Sequence, residues 1–339
     1  MTLPVGERIV IAGAGSIGCF VGGLLAAAGR RVVLLARPQV AGEVAAHGLT
    51  LTSFEGWERK VPPSALQVTT DPAEALAGAS LVLVTVKSRD TAAIGRLIAD
   101  HAPAAASVVS LQNGLSNADT LRTALPGRVV LAAMVPFNVV QLEAGRFHKG
   151  TSGDILVEPE LEVLAAMNVP GLAVHGHSDM QAVLAGKLLL NLNNALNALS
   201  GLTLYEQLGK RRWRRLLAAC QAEALAVFRA RGIAPWSMGP LPAHLLPRLL
   251  RLPTPLFRLL ARSAVRIDRT ARSSMWEDLE RRRPTEIGEL QGKVVELAAA
   301  LNLPAPACRA VREAIAGAEE AGRGSPRLAP ETLAQAAGL

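Results

Sequence analysis

The stretch Ile9-Val10-Ile11-Ala12-Gly13-Ala14-Gly15-Ser16-Ile17-Gly18 decides the fold. A short apolar run enters a glycine turn, and a helical pattern leaves it and continues to Gly29. Strand, G-x-G-x-x-G turn and helix in that order form a dinucleotide fingerprint. Gly13 permits the tight turn, Gly15 lets backbone N–H groups approach a pyrophosphate, and Gly18 lets helix and strand pack closely. The phosphates would sit at a helix N-terminus, where unpaired N–H groups and the helix dipole favour anions. Gly13, Ala14, Gly15, Ser16, Ile17 and Gly18 are therefore candidate cofactor-binding residues.

The residues that follow choose between cofactors. The second apolar run, Arg31–Ala36, ends at Arg37, and no acid occurs between Gly18 and Glu43. A site for NAD usually places Asp or Glu about 20 residues past the glycines to hold the ribose hydroxyls. A guanidinium at that place can instead grip a 2′-phosphate through charge-assisted hydrogen bonds. NADPH is the expected cofactor; the alternative for Arg37 is an ordinary solvated loop position.

Outward from the fingerprint, residues 8–12, 32–36, 66–69, 81–86, 107–111 and 129–135 are predicted strands. Residues 16–29, 90–101 and 116–125 are predicted helices between them. This alternation predicts an α/β Rossmann-type, doubly wound parallel sheet. Runs at 137–141, 154–157 and 172–175 extend it as further strands, antiparallel in part. Asp154, Glu158, Glu160 and Glu162 are expected to form a solvated edge. From Met180 onward helical periodicity dominates, at 180–200, 210–231, 269–283, 285–302 and 307–320. The expected division is a nucleotide-binding domain over 1–178 and an all-α domain over 179–339, with the boundary near Gly176–Asp179. Residues 232–262 hold six prolines and break into short helical pieces. Their leucines are expected to cover the core and Arg248, Arg251, Arg258 and Arg262 to face water.

A chain of 339 residues accommodates two cores. Half of it is apolar, yet no run approaches the roughly 18 apolar residues of a membrane helix. The first strand begins by Arg8, which leaves no room for a signal peptide. Cys19, Cys220 and Cys308 lack paired spacing, which fits a reducing compartment, and the cytoplasm is the expected location. Residues 1–182 carry a net charge of −2 and residues 183–339 a net charge of +10. The basic half suits an anionic cofactor and substrate. Only one Tyr, six Phe and four Trp are present, too few for base-stacking platforms, so no nucleic-acid partner is expected.

Four clusters can carry chemistry. Val86-Lys87-Ser88 follows the strand 81–86, at the carboxyl edge where open α/β sheets bind ligands. Gln112-Asn113-Gly114 follows the strand 107–111 at the same edge, and Asn113 can donate to a carbonyl or carboxamide. On the helix 180–200, Lys187, Asn191 and Asn194 share one narrow face at about 100° per residue. A buried lysine there would have a lowered pKa and could protonate a carbonyl that receives hydride. Last come Ser273-Ser274-Met275 and Pro284-Thr285-Glu286-Ile287. Pro284 is expected at a first helical position, with Glu286 in the first turn. Ile287, Leu290, Val294, Leu297 and Leu301 mark its buried side, while Gly288 and Gly292 would admit a neighbouring helix. Arg281–Arg283 should be a solvated helix end. His175-Gly176-His177 has the look of a chelate but no accompanying ligands, and no metal is expected.

Taken together, Gly13–Gly18, Arg37, Val86-Lys87, Gln112–Gly114, Lys187–Asn191, Ser273–Met275 and Thr285–Ile287 resemble the ketopantoate reductase (2-dehydropantoate 2-reductase) family across nearly the whole chain. The resemblance implies a Rossmann domain and a helical domain with the active site in the cleft, and NADPH-dependent reduction of 2-dehydropantoate to pantoate on the way to coenzyme A. It implies Lys187 as catalytic lysine and Glu286 as essential acid. Asn113 would meet nicotinamide and substrate, Ser274 and Asn191 the substrate, and Arg37 and Lys87 the 2′-phosphate end. Asn194 joins the substrate-binding candidates through its shared face. Eight residues past the lysine, where the family's second asparagine is usual, stands Ala195, with asparagines at 193, 194 and 197 instead. The hydroxyl end of the substrate is then held differently. A paralogous reductase of another 2-oxo acid, a 3-hydroxyacid-type dehydrogenase and a non-catalytic NADPH-binding regulator are the alternatives. A small-molecule partner is expected, no membrane, and a homodimer is compatible with the chain.

Overall fold

The computed structural model describes residues 7–261 and 270–339. Arg262 and the first residue of the helix expected at 269–283 lie outside the described residues. The chain divides into two compact units, Met1–Met180 and Gln181–Leu339.

Among the described residues the first unit holds twelve strands: β1 Arg8–Ala12, β2 Arg31–Leu35, β3 Leu49–Ser53, β4 Glu58–Val61, β5 Gln67–Thr69, β6 Leu81–Val84, β7 Ser107–Ser110, β8 Val130–Met134, β9 Val139–Glu143, β10 Arg146–Lys149, β11 Ile155–Val157 and β12 Val174–Gly176. Its helices are α1 Ser16–Ala27, α2 Pro38–His47, α3 Pro72–Leu76, α4 Thr91–His101, α5 Asn117–Ala124 and α6 Leu161–Met167. The main sheet runs β12-β11-β8-β7-β6-β1-β2-β5. The six strands from β5 to β8 are parallel. β11 pairs antiparallel with β8 and parallel with β12. β1 thus lies at the centre between β2 and β6, which is the topological switch point of a doubly wound sheet.

Alternation along the central strands divides the core into two layers. Ile9, Ile11, Val32, Leu34, Leu81 and Leu83 face the side of α1 and α6. Val10, Ala12, Val33, Val82 and Val84 face the side of α3, α4 and α5. Strands buried on both faces read as continuous apolar runs, which is how the sequence shows them.

A second sheet, β4-β3-β10-β9, was not anticipated. It covers the outer side of α1 with Leu49, Leu51, Val61 and Phe147. α1 therefore lies between two sheets. A Cβ on Gly22 would come within 2.9 Å of Ile11 and Leu34 side chains, and one on Gly23 within 3.0 Å of Leu49 and Leu51. At the β11–β12 end of the main sheet Asp154 and Glu162 are exposed as expected, whereas Glu158 and Glu160 are half-buried. Glu158 accepts from the Ala132 N–H at 2.8 Å and pairs with Arg122 at 2.7 Å. Glu160 caps α6 through the Val163 N–H, and Asp154 meets His175 at 3.2 Å.

The second unit contains α7 Met180–Ser200, α8 Leu204–Gly209, α9 Arg211–Ala230, α10 Leu246–Arg251, α11 Thr254–Ala261, α12 Ser274–Glu280, α13 Gln291–Ala300, α14 Pro306–Ala321 and α15 Pro330–Ala336. α9 is central and packs against α8, α10, α13, α14 and α15. Two buried amides from neighbouring helices hold α7. Gln221 of α9 donates to the Leu189 carbonyl at 3.0 Å, and Gln291 of α13 to the Leu192 carbonyl at 2.8 Å. All three cysteines are buried free thiols.

In the proline-rich segment Arg248, Arg251 and Arg258 face water as expected, but so do Leu256, Leu259 and Leu260. The buried cation here is Arg214 of α9. Its guanidinium donates to the carbonyls of Leu208, Leu250 and Leu252, closing the ends of α8 and α10, and lies 4.2 Å over the Phe257 ring. Arg214→Met should lower stability by about 2 kcal/mol, because one buried and two half-buried carbonyls lose a charged donor. Urea unfolding followed by circular dichroism measures this, and an unchanged midpoint would refute it.

Candidate active site

Each functional candidate of the first unit stands at the carboxyl edge of the main sheet. Gly13 has φ +113°, and a Cβ there would meet the Val86 amide nitrogen at 2.7 Å. The Gly13 carbonyl accepts from the Gly15 N–H at 2.8 Å and from the Thr85 hydroxyl at 2.6 Å. Ala14 is buried, and its N–H donates to the Leu35 carbonyl at 3.1 Å. Gly15 is the N-cap of α1; it offers no capping side chain, and the first turn of α1, which begins Ser16-Ile17-Gly18, holds no acid. Nothing lies within 4 Å of a Cβ built on Gly15. The donor end of α1 and the open space over Gly15 fit a pyrophosphate.

Arg37 is the N-cap residue of α2 at the end of β2, and its side chain is exposed. Its guanidinium stands 4.0 Å from Asp90 in the loop after β6, the loop that also carries half-buried Lys87. Arg89 also meets Asp90, at 3.7 Å, so Asp90 stands between two guanidiniums in the loop that carries Lys87. Asp90 was not anticipated, because it becomes a neighbour of Arg37 only through the order of strands in the sheet.

Asn113 is half-buried, and Gly114 turns the chain at φ +105°. Gln112 is a brace rather than a ligand group. It is buried and donates to the Val86 carbonyl at 3.0 Å and the Thr91 hydroxyl at 2.7 Å. Asn117 completes the brace, donating to Ser88 Oγ at 3.0 Å and to the Asn113 carbonyl. The loops after β6 and β7 are thereby fixed to each other. Thr91 and Asn117 open helices, where a short polar residue is unremarkable, so sequence gave no signal of this role.

In the second unit Lys187, Asn191 and Asn194 are each half-buried on α7, whereas Asn193 and Asn197 are buried. The buried pair is engaged inside the unit. Gln207 donates to Asn193 at 2.8 Å, and Asn197 accepts from the Ser273 N–H at 2.8 Å. Ser273 Oγ donates to the Asn194 carbonyl at 2.9 Å and caps α12 through the Trp276 N–H. α7 thus fixes the turn that presents Ser274, which is exposed at the start of α12. Although Lys187 is only half-buried by residue, its ammonium is desolvated, which holds its pKa down to about 8.

Glu286 departs from expectation. It precedes a short 3-10 turn, Ile287–Glu289, and α13 begins only at Gln291. Pro284 therefore lies outside any helix, and Glu286 is half-buried in the connection rather than in a helical first turn. Thr285 N–H donates to Glu319 of α14, and Thr285 Oγ1 accepts from Ile287 N–H at 3.2 Å, which holds the chain in this non-helical course. Gly292 is buried as expected, but Gly288 is exposed with open space around it. Ile287, Leu290 and Val294 are buried, and Arg281–Arg283 are exposed. Among the described residues no cluster of three or more His, Cys, Asp and Glu could hold a metal, and no helix is long and apolar enough to cross a membrane.

Two family models match the chain: ketopantoate reductase PanE/ApbA over residues 9–160 and its C-terminal counterpart over residues 179–319. The chain belongs to the ketopantoate reductase family. It is thus an oxidoreductase by family. It is 28% identical to the 2-dehydropantoate 2-reductase of Halobacterium salinarum over 93% of this chain and all of that one. The crystal structure of a PanE/ApbA family ketopantoate reductase from Ralstonia eutropha superposes with a TM-score of 0.80 at 31% identity, covering 94% of this chain and all of that one. A D-mandelate dehydrogenase bound to NADH and anilino(oxo)acetate shares the fold, with a TM-score of 0.78 at 18% identity over 93% of this chain and 99% of that one.

Proposed function

We propose that the protein is a cytoplasmic NADPH-dependent reductase of a 2-oxo acid, with 2-dehydropantoate, which it reduces to pantoate for coenzyme A synthesis, as the first substrate to test. Residues 1–178 hold the cofactor and residues 179–339 supply the catalytic acid; a homodimer is the proposed assembly. The observation that carries this is Lys187, a desolvated ammonium at the head of a strip that continues with Asn191 and Asn194, on a chain that also bears a dinucleotide fingerprint.

The amides at the start of α1 would bind the pyrophosphate, and Gly15 would give it room. Arg37 and Lys87 would hold the 2′-phosphate, and Asn113 would orient the carboxamide and the substrate. A reduced nicotinamide held there would supply the hydride. Lys187 donates a hydrogen bond from Nζ to the ketone oxygen, stabilises the charge that develops as the carbonyl is reduced, and delivers its proton to form the hydroxyl. Asn191, Asn194 and Ser274 position the substrate, and Glu286 orients its far end or the lysine.

The test is NADPH oxidation with 2-dehydropantoate beside simple 2-oxo acids. Consumption with none of them would end the proposal. Arg37→Ala should raise the KM for NADPH about tenfold or more, the worth of one charged hydrogen bond, and change the KM for NADH far less. Equal effects on the two cofactors would remove the 2′-phosphate from Arg37.

A further inference from the structure

Leu256, Leu259 and Leu260 are 49%, 63% and 59% exposed, and all three stand on α11. Their spacing of three and four residues puts them on one face of the helix. Single exposed leucines are ordinary on a protein surface, whereas three on one face of a two-turn helix form a patch. Another side of α11 is fastened to the second unit. Phe257 is buried, and the Arg214 guanidinium lies 4.2 Å over its ring. Arg214 also donates to the Leu252 carbonyl at 2.9 Å and to Thr254 Oγ1 at 3.3 Å, at the start of the helix. α11 cannot roll its leucines inward without giving up Phe257.

The ground around the patch is basic. No Asp or Glu occurs between Glu223 and Asp268, a stretch that holds seven arginines. Arg248, Arg251 and Arg258 are exposed on α10 and α11. The Arg258 guanidinium would lie 3.9 Å from a Cβ on Gly209, the last residue of α8, which precedes exposed Lys210 and Arg211. Arg211 Nε donates to the Arg251 carbonyl at 3.0 Å. The ends of α8 and α10 and the start of α9 thus gather cations beside α11. Acids of the adjoining helices are engaged: Glu206 completes the capping box of α8 with Thr203, and Glu331 of α15 pairs with Arg212. Among the described residues Arg211, Arg248, Arg251 and Arg258 form no ion pair.

An apolar face bordered by arginines matches an anionic lipid surface. Leucines enter the boundary between headgroups and acyl chains, and arginines stay level with the headgroup phosphates. Other occupants fit this face less well. A second copy related by a two-fold axis would bring the face against itself, arginines against arginines. A peptide needs a groove, and side chains exposed by half or more form a raised face. Among the described residues no helix is long and apolar enough to cross a membrane, so the contact is one of surfaces.

We propose that α11 docks the protein on anionic membrane surfaces, with Leu256, Leu259 and Leu260 set among the headgroups and Arg248, Arg251 and Arg258 on lipid phosphates. This departs from the sequence expectation of no membrane partner, which took these leucines to cover the core. None of the six residues is a catalytic or binding candidate of the reductase reading, and the contact lies wholly in the second unit.

Co-sedimentation of the full chain with extruded vesicles tests this. Vesicles of phosphatidylcholine and phosphatidylglycerol should carry the protein down at about 0.1 M salt. They should bind at least about tenfold more weakly at about 1 M salt, where the Debye length shrinks to about 3 Å, as should vesicles of phosphatidylcholine alone. Replacing the three leucines together, Leu256→Ser, Leu259→Ser and Leu260→Ser, keeps the charge. It should weaken binding to the anionic vesicles at least about tenfold, the worth of one buried leucine. Arg258→Gln should weaken it about fivefold. Thermal melting of each variant certifies its fold. A parent chain that stays in solution with the anionic vesicles overturns the proposal. Equal binding by the folded triple variant also overturns it, because net charge alone would then explain the contact. A dimer in sedimentation velocity that becomes a monomer in the triple variant, with no vesicle binding by either, gives the face to a second copy and overturns the proposal as well. None of these outcomes depends on turnover, so each leaves the reductase reading where it stands.

Discussion

Lys187→Ala should lower kcat by about 10²–10⁴-fold, the usual worth of a positioned general acid, and leave NADPH affinity largely intact. The substitution should not unfold the protein. Desolvation pushes the Lys187 pKa down to about 8 in the folded chain, below the ordinary value of about 10.4. The unfolded chain therefore binds the proton first as pH falls, and stability declines from about pH 10.4 to about pH 8 and stays at the lower level beneath it. Removing the amine relieves that cost at neutral pH, so the melting temperature should hold or rise. The same shift sets a pH profile. The acid is present below about pH 8 and lost above it, so kcat/KM for reduction should fall as pH rises through that value. An unperturbed lysine would sustain activity about two units higher. Stopped-flow NADPH titration, steady-state rates across pH and thermal melting of the variant check these outcomes. Normal turnover in Lys187→Ala would remove the lysine from the chemistry.

Legibility in the sequence followed the physics of each element. β1, β2, β6, β7 and β8 are buried on both faces, so their signal is a continuous apolar run that alternation is not needed to reveal. α7 and α9 are long, and their periodicity is strong. In the second sheet Leu49–Ser53 alternates with Leu49, Leu51 and Ser53 inward, a period that was overlooked, but β4 and β10 gave little signal. Glu58–Val61 and Arg146–Lys149 each carry one inward apolar residue, Val61 and Phe147, amid charged neighbours. A strand with one buried apolar side chain has no apolar period to detect; in β10 the other inward position is Lys149.

The site divided in the same way. Lys187, Asn191 and Asn194 share a face by helical spacing alone, irrespective of tertiary structure, so their grouping on α7 could be read from the sequence. Asp90 beside Arg37, and the brace of Gln112, Thr91 and Asn117, depend on which strands are neighbours. The course of the chain at Glu286 was misjudged for a related reason. Pro284 is a good helix start in isolation, but the Thr285 N–H is taken by Glu319, from 34 residues away, and the helix begins later. Gly186 shows the same dependence: a Cβ there would overlap the carbonyl oxygen of Trp236, a close approach that a helical run does not announce.

The glycine turn yields the second large effect, because Gly15 and Gly18 are glycines for different reasons. A Cβ on Gly18 would overlap the Gly13 carbonyl oxygen and lie 2.7 Å from Thr85 Oγ1 and 2.9 Å from Ile11 Cγ2. That carbonyl cannot retreat, since the Gly15 N–H and the Thr85 hydroxyl both hold it. Ile11 is a core residue of the central strand. Gly18→Ala must therefore displace the turn itself, and it should cost about 3 kcal/mol of stability, the upper part of the overpacking range. It should also weaken NADPH by about 10²-fold or more, because the displaced amides lose charge-assisted bonds to phosphate worth roughly 1.5–3 kcal/mol each. Gly15→Ala separates the two effects. Its methyl would enter open space at φ −84°, a conformation any L-residue adopts, so folding should be unaffected while the space for the pyrophosphate shrinks. NADPH binding should then weaken about tenfold or more, through one charged bond lost, with the melting temperature of the unliganded protein unchanged. Calorimetric titration and thermal melting of both variants decide the matter. If Gly15→Ala bound NADPH as tightly as the parent, the pyrophosphate would not lie over Gly15, and the fingerprint would be a structural turn alone.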